Sequence, residues 1–394
     1  MGRRPLRQTL RWLELPAAFG VSALCLALAY VEMTPAEGYD FRPMYQAAQA
    51  LLEGRPIYAV PMFGYPPFAA VAFAPFAALD WSSANHIYVV FQVCVAMAGS
   101  ALLGATLFSR HRFIGAATVT LALLASQFFW SSVHLYNVSL LMLLPLVAVA
   151  RFWASERWSA GAVVLGVSVA IKPLLLLLFL VPLIRRRFGA AALGAGVLVG
   201  LTLVGAVLSH DLGGLLDLPR HVLVGASLLG DVQIYNVSPS SIGVIYPQLA
   251  GAMTVLRFAL AVGIVSTLWR VRRWRNSFET MLVVTGLLVL AIPLVGTLSE
   301  IHYGILAFPV AVVMITGRLG RPAQLVALIG AAPMAIVLHG LNDPVAAQIQ
   351  LCFGQVTILV ATFLTREPRY NRKDAVRPAP RLAPVSAAEP AADH

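Results

Sequence analysis

The stretch SAGAVVLGVSVAIKPLLLLLFLVPLI, Ser159 to Ile184, carries one charged residue, Lys172, in the middle of an apolar sequence. Its length exceeds the roughly 20 residues that an α-helix needs to cross a bilayer. Pro173 follows the lysine, and proline both breaks the helical hydrogen-bond ladder and disfavours helix at the preceding residue. The stretch therefore predicts two half-helices, 159–171 and 173–184, instead of one straight span.

The arginines around this stretch predict that its two halves form a hairpin. Arg151 and Arg157 precede the stretch, and Arg185 to Arg187 follow it. Arginine and lysine concentrate in cytoplasmic loops, so both clusters belong on the same side of the membrane. A hairpin with Lys172 at its apex, within the membrane, satisfies this requirement. Non-helical backbone at that depth is tolerated where protein or a water-filled cavity surrounds it.

The composition of the whole chain indicates a polytopic membrane protein. Of the 394 residues, 59% are hydrophobic and 11% are charged, and this charged share is less than half of that in soluble domains. Long segments without a polar face exclude a soluble core. We expect an all-α fold with about 11 or 12 transmembrane helices. The candidate spans are 13–31, 84–107, 113–130, 137–152, 159–184, 188–209, 249–270, 278–296, 303–317, 322–338 and 345–364.

The distribution of charge predicts the orientation of the chain. The net charge is +11, but in a membrane protein its distribution matters more than its total, and we predict no nucleic-acid partner. With the arginine clusters inside, two long loops, 32–83 and 210–243, lie outside and are acidic. We predict a multi-pass protein of the bacterial plasma (inner) membrane with cytoplasmic N- and C-termini. One transmembrane domain, 1–365, precedes a disordered cytoplasmic tail, 366–394.

The first outer loop carries a carboxylate at the edge of the membrane. Asp40 lies between Tyr39 and Phe41, and two short segments with apolar helical character follow it. We predict that these segments are helices along the membrane surface. Asp40 is then either a reacting group held at the water–lipid boundary or a loop carboxylate that caps a surface helix.

An ordered set of short motifs runs along the chain. The set consists of Tyr39-Asp40-Phe41, a Tyr/Ala-rich helix that ends in LLEG at 51–54, PIY at 56–58, YPP at 65–67, Asn137 after a short turn, AIKP at 170–173, NVS at 236–238 and EIHY at 300–303. It resembles the GT-C class of integral-membrane glycosyltransferases, and within it glycosyltransferase family 87, the polyprenyl-phosphate-mannose-dependent mannosyltransferase-like proteins. The resemblance covers about residues 10 to 365.

The resemblance implies a GT-C fold and a chemistry. A sugar, with mannose expected, would pass from a polyprenyl-phosphate donor to a glycolipid or glycan acceptor on the outer face, with inversion and with Asp40 as the catalytic general base. An acceptor hydroxyl needs a base, and the leaving phosphate needs cations or hydrogen-bond donors. The candidates for the donor phosphate are Lys172, His302, Arg257 and Arg42, and those for substrate binding are Asn236, Ser238, Glu300, Asn137 and Tyr65.

Structural alternatives accompany these assignments. A lysine within an apolar stretch indicates a functional site by default, but its side chain can also snorkel to the interface. Arg257 has the same two interpretations, Arg42 can bind lipid headgroups, and His302 can belong to an interfacial belt. The sequence holds neither a D-x-D pair nor a clustered His/Cys set, so we expect no metal and no cofactor.

Other functions stay open at this level. One is a transporter or flippase of lipid-linked sugars, in which Lys172 at a broken helix binds substrate near the midplane. The long first loop and the lack of an internal repeat in the sequence disfavour it. Another is a transferase of a different polyprenyl-linked group, and a third is a structural membrane protein whose charges only set topology.

Overall fold

The computed structural model describes residues 39–214, 238–295, 301–335 and 344–368. Within these ranges the chain forms α-helices joined by short 3₁₀ segments, and no β-strand occurs in them. The fold is that of an all-α polytopic membrane protein. The first predicted span, 13–31, most of the loop 210–243 and nearly all of the tail lie outside the described residues.

The helices follow the predicted apolar segments. The first half of the chain forms α1 (Arg42–Leu52), α2 (Pro67–Ala77), α3 (Trp81–Leu107), α4 (Arg112–Leu124), α5 (Gln127–Leu135), α6 (Leu143–Ala154), α7 (Trp158–Ile171), α8 (Leu180–Ile184) and α9 (Phe188–Leu208). The second half forms α10 (Pro239–Ile245), α11 (Ala250–Val271), α12 (Phe278–Val295), α13 (Phe308–Ile315), α14 (Arg321–Ala335) and α15 (Pro344–Phe363). The 3₁₀ segments are Ile57–Ala59, Val138–Met142, Pro173–Phe179, Pro247–Leu249 and Ile301–Ala307.

Fewer of these helices span a membrane without interruption than the sequence predicts. In the described residues, four helices are long and apolar enough, namely α3, α9, α12 and the helix over Pro247–Val271. The pair α4 and α5 adds a fifth if it counts as one span bent by 66°. The bend occurs because Ser126 caps a new helix, where its side chain accepts a hydrogen bond from the backbone N–H of Phe129 at 3.2 Å.

The stretch 158–184 forms the predicted hairpin. Lys172 is extended (φ −138°, ψ 114°), so α7 ends at Ile171, and Pro173 opens the returning 3₁₀ segment. The two ends of the stretch meet in an ion pair between Glu156 and Arg187 at 2.8 Å. If the stretch were one straight helix, its rise of 1.5 Å per residue would separate Glu156 from Arg187 by more than about 40 Å.

Arginine side chains join the helix ends on the side of the hairpin's open end. Arg151 donates to Thr106 Oγ1 at 2.7 Å, and Arg185 donates to the carbonyl of Trp274 at 2.6 Å. Arg318 pairs with Glu279 at 2.8 Å, and Arg270 donates to the carbonyl of Phe363 at 2.8 Å. We call this end of the bundle, defined by Arg151, Arg185, Arg187, Arg270 and Arg318, the basic face.

The helices of the first loop pack against the bundle at its other end. Phe41 is fully buried and stacks on Tyr88 of α3 with a ring separation of 4.1 Å and an interplanar angle of 4°. Helix α2 packs on α1, α7 and α9. Gly205 of α9 allows this contact, because a Cβ there would meet the backbone of Phe68. The loop that begins with Asp40 is therefore fixed to the transmembrane helices.

Candidate functional site

Asp40 is held in place on both its backbone and its side chain. Its backbone N–H donates to the carbonyl of Leu135 at the end of α5, at 3.1 Å. Its carboxylate Oδ2 accepts a hydrogen bond from Asn137 Nδ2 at 2.6 Å. The side chain is partly exposed. Because the adjoining Phe41 is buried in an aromatic cluster, the carboxylate has a fixed position beside the turn that follows α5.

Asn137 is buried where α5 ends and a 3₁₀ segment begins. Tyr136 takes a left-handed conformation (φ 59°), which ends the helix, and the N–H of Asn137 then donates to the carbonyl of Ser132 at 2.9 Å. The side-chain oxygen of Asn137 accepts from the N–H of Ser139 at 2.7 Å and caps the next segment. Gln92 of α3 donates to the carbonyl of Asn137. The residue is 2% exposed.

Lys172 reaches this turn from the apex of the hairpin. Its ammonium Nζ donates to Asn137 Oδ1 at 3.0 Å and to Ser139 Oγ at 2.8 Å. The rings of Tyr65 and Tyr303 lie 5.9 Å and 5.2 Å from Nζ, within the range of cation–π attraction. The lysine is 4% exposed. It therefore extends into a polar cluster of the protein and does not snorkel to the surface.

These contacts assemble one site from five parts of the chain. We call Asp40, Asn137, Ser139, Lys172, Tyr65 and Tyr303 the apex cluster. An anionic carboxylate and a buried ammonium lie on opposite sides of a single amide. Such a pair of charges beside a membrane can bind a polar ligand and exchange a proton with it.

Three other predicted site residues have partners elsewhere. Arg42 is exposed, and its guanidinium lies 5.5 Å from the centre of the Trp81 ring. Arg257 donates to the carbonyl of Val295, from Nε at 3.0 Å and from Nη2 at 2.6 Å, and so caps α12. Ser238 is buried and caps α10 by accepting from the N–H of Ser241 at 3.2 Å. None of these contacts joins its residue to the apex cluster.

Three further candidates lie outside the description. Asn236 and Glu300 lie outside the described residues, as does the side chain of His302. The backbone of the segment Ile301–Ala307 is described, and it packs on α5. Gly304 lies so close to the ring of Phe128 that no side chain fits there. Tyr303, the residue before Gly304, lies against Lys172.

The sequence interpretation missed several polar residues behind the cluster. Asn85, Tyr88 and Gln92 lie at helical spacing on one face of α3, and each has one buried oxygen with no hydrogen-bond partner in the described part of the chain. The spacing i, i+3, i+7 within an otherwise apolar span is a signal that was available in the sequence. No sequence pattern marked Ser139, because its contact with Lys172 depends on where the hairpin places that lysine.

A second tyrosine links the two long loops. The N–H of Tyr58 donates to Asp211 Oδ2 at 3.4 Å, and its hydroxyl donates to the carbonyl of Tyr65 at 3.1 Å. Burial raises the pKa of the Tyr58 hydroxyl, and the charge of Asp211 raises it further. Tyr58 thus stays neutral, and its hydrogen bonds connect Tyr65 of the apex cluster to Asp211 at the beginning of the second loop.

Comparison with known proteins identifies the family. The sequence profile of glycosyltransferase family 87 matches residues 63–298, more than half of the chain. The chain belongs to glycosyltransferase family 87. The matched region contains Tyr65, Asn137, Ser139 and Lys172 of the apex cluster. No solved structure matches this family 87 chain.

Named relatives of this family 87 chain come from mycobacteria and related bacteria. It is 24% identical over 283 residues to an "Alpha-(1->3)-arabinofuranosyltransferase" of Mycobacterium tuberculosis, a match that covers 68% of the chain and 64% of the relative, less than two thirds of its length. It is 27% identical over 384 residues to a "Polyprenol-phosphate-mannose-dependent alpha-(1-2)-phosphatidylinositol mannoside mannosyltransferase" of the same species, covering 86% of the chain and 82% of the relative. A Corynebacterium glutamicum arabinofuranosyltransferase is 22% identical, covering 71% of the chain and 68% of the relative.

Proposed function

We propose that the protein transfers a sugar from a polyprenyl-phosphate donor to a hydroxyl group of a glycolipid or glycan, with Asp40 as the general base. The observation that carries this proposal is the hydrogen bond from Asn137 to the Asp40 carboxylate, 2.6 Å long, in a site that also holds the Lys172 ammonium. A base and a cation at one position beside the membrane suit a reaction between a lipid phosphate and a hydroxyl.

The step balances without a cofactor. The acceptor oxygen attacks the anomeric carbon, a new carbon–oxygen bond forms, and the bond from that carbon to the phosphate oxygen breaks. The electron pair leaves with the polyprenyl phosphate, and the acceptor proton passes to Asp40. Lys172 stabilises the negative charge that grows on the phosphate. A single displacement of this kind inverts the anomeric carbon, whereas retention needs a second close carboxylate.

Mannose is the sugar we propose. The mannosyltransferase relative matches over 86% of the chain and 82% of its own length, which is the more complete alignment. Arabinofuranose is the second candidate, because the arabinofuranosyltransferase relatives match over 68% of the chain. The name of the mannosyltransferase relative and the buried cation beside the proposed base support a polyprenyl-phosphate donor.

The two ends of the bundle support a proposal for its orientation in the membrane. Arginines gather on the basic face, and positive residues favour the cytoplasmic side. The apex cluster is at the other end of α7, which is about 20 Å long at 1.5 Å per residue. We propose that the cluster opens to the outer face of the bacterial plasma membrane and that both chain termini are cytoplasmic.

A reconstituted transfer assay tests the proposal and separates it from transport. Purified protein in sealed vesicles receives synthetic polyprenyl-phosphate [¹⁴C]mannose or polyprenyl-phosphate [¹⁴C]arabinofuranose and phosphatidylinositol mannosides as acceptors. We expect a new radiolabelled glycolipid from the mannose donor, formed about 100-fold more slowly or slower still with Asp40→Asn. Movement of the intact donor between leaflets without a new glycosidic bond would instead identify a flippase.

A further inference from the structure

The side-chain amide of Asn137 has a single orientation that fits its surroundings. Its oxygen faces two donors, the Lys172 ammonium at 3.0 Å and the Ser139 N–H at 2.7 Å. Its nitrogen faces the Asp40 carboxylate at 2.6 Å. A flipped amide would set its NH₂ group against those two donors and its oxygen against a carboxylate. The neighbours therefore fix which end of the amide meets Asp40.

The backbone of Asn137 is fixed as firmly as its side chain. Its N–H donates to the Ser132 carbonyl at 2.9 Å, and its carbonyl accepts from Gln92. The residue is 2% exposed, so water does not compete for its amide. The amide is consequently a rigid connection between the cation at the hairpin apex and the carboxylate in the first loop.

From this geometry we infer that Asn137 is a positioning residue, which aims the Asp40 carboxylate and transmits the positive charge of Lys172 to it. The inference deepens the proposed function and rests on it, since Asp40 has to be the base for the connection to matter in catalysis. A hydrogen bond donated to a carboxylate favours its ionised form. The Lys172 ammonium polarises the amide and strengthens that bond, because coupled hydrogen bonds in a buried site reinforce one another.

The charged and titratable groups around Asp40 come from several elements. Lys172 approaches through the amide from the hairpin apex, and Arg42 follows Asp40 in its own segment. Tyr88 of α3 lies within electrostatic range of the carboxylate. Tyr65 and Tyr303 face the ammonium. Among these described groups, Lys172 and Arg42 are cations and the tyrosines are neutral. A carboxylate introduced at position 137 would therefore be the negative charge nearest to Asp40 among them.

The inference gives Asn137 a role in every turnover. The base has to be ionised before each reaction and has to lose its proton after it. A fixed donor on Oδ2 favours both, because it stabilises the carboxylate over the carboxylic acid. A merely structural tie between the first loop and the bundle would hold Asp40 in place without changing the pH at which it titrates.

The test is the pH dependence of the Asn137→Asp variant. We expect the acidic limb of the kcat profile for mannose transfer to move by about one pH unit or more to higher pH, because two adjacent carboxylates disfavour a second charge. Asn137→Ala is expected to move it in the same direction by a smaller amount. Difference infrared spectra between each variant and its Asp40→Asn counterpart report the protonation of Asp40 without any substrate.

A matched control exists on the basic face. Asn276 Nδ2 donates to Glu156 Oε1 at the same distance, 2.6 Å, at the far end of the hairpin. Asn276→Asp therefore also replaces an amide that donates to a carboxylate by a second carboxylate. For this variant we expect the pH profile of kcat to be that of the wild type. Ser139→Ala removes one acceptor from Lys172 but leaves the amide connection, so it should lower the rate without moving the limb.

The outcomes separate this inference from the proposed function. An unmoved titration of Asp40 in both Asn137 variants, by kinetics or by infrared, would overturn the inference and leave Asp40 as the base. Full transfer by Asp40→Asn together with a moved infrared titration would overturn the proposed function and leave the connection through Asn137 intact. A shift in Asn276→Asp equal to that in Asn137→Asp would also overturn the inference.

Discussion

Asn137 donates a 2.6 Å hydrogen bond to Asp40 across 97 residues of sequence. The bond joins the first loop to the turn after α5, and Lys172 completes the arrangement from the hairpin apex at 3.0 Å from the same amide. The positions of Asp40, Lys172 and the amide between them thus depend on three separate local features: the aromatic packing of Phe41, the left-handed end of α5 and the break at Pro173.

Lys172→Met should impair the reaction with the sugar donor more than it destabilises the fold. The change removes the buried cation, so the leaving phosphate loses charge stabilisation, and we expect the donor KM to rise and kcat to fall by about 10- to 100-fold together. The freed acceptors on Asn137 and Ser139 would cost about 1–3 kcal/mol of stability. Transfer kinetics with varied donor and a thermal melt in detergent measure the two effects. A variant with wild-type kinetics would show that the ammonium is structural.

Arg257→Gln should lower stability and leave donor binding unchanged. Its two hydrogen bonds go to the Val295 carbonyl at the end of α12, and a cation there also suits the helix dipole. Loss of these bonds is expected to cost about 1–3 kcal/mol. A thermal melt and the donor KM of the purified variant check this. A large rise in KM at unchanged melting temperature would restore the phosphate role that the sequence predicted for Arg257.

Single cysteines should report the hairpin. In a background without the native cysteines, Cys at position 53 and Cys at position 187 replace two exposed residues, Glu53 and Arg187, whose side chains are 54% and 49% exposed. A membrane-impermeant maleimide added to intact cells is expected to label position 53 and not position 187. Permeabilised cells should be labelled at both. Labelling of both positions from outside would mean that 158–184 crosses the membrane as one span.

Gly205→Ala should loosen the first loop, whereas Gly200→Ala on the same helix should not. A Cβ at Gly205 would lie 2.4 Å from the backbone nitrogen of Phe68, so α2 has to move. A Cβ at Gly200 would meet no atom of another segment within 4 Å, and alanine there is expected to raise the stability of the helix by up to about 1 kcal/mol through helix propensity. Limited proteolysis of the first loop and transfer activity measure the difference. Equal behaviour of the two variants would contradict the described docking of α2.

The sequence predicted the fold where local chemistry decides it. The hairpin was predicted from one proline and two arginine clusters. Proline breaks the helix at the residues beside it, and arginines favour the cytoplasmic side for the loops that carry them. The broken spans were harder, because a cap such as that of Ser126 interrupts an apolar run without changing its hydropathy. The count of about 11 or 12 spans was therefore not reproduced by uninterrupted helices in the described residues.

The sequence singled out individual candidate residues but did not reveal how they assemble. Lys172 stood out because a charged group within the membrane is costly, and Asp40 stood out through the family resemblance and its place in the first outer loop. Their connection did not, because no pattern in one sequence reveals that Asn137 meets residues 97 and 35 positions away. Arg257 looked equivalent to Lys172 in sequence, but in the structure Arg257 donates to the Val295 carbonyl, whereas Lys172 donates to Asn137 and Ser139.

The most direct test of the central claim compares Asp40→Asn with Asp80→Asn in the mannose-transfer assay. Asp80 caps α3 in the same loop by accepting from the N–H of Ser83 at 3.0 Å, and asparagine caps helices equally well. We predict that Asp40→Asn lowers kcat by about 100-fold or more, as expected for loss of a general base, while it retains donor binding and the melting temperature, and that Asp80→Asn stays within about twofold of the wild type. Transfer by purified Asp40→Asn at the wild-type rate would contradict the account.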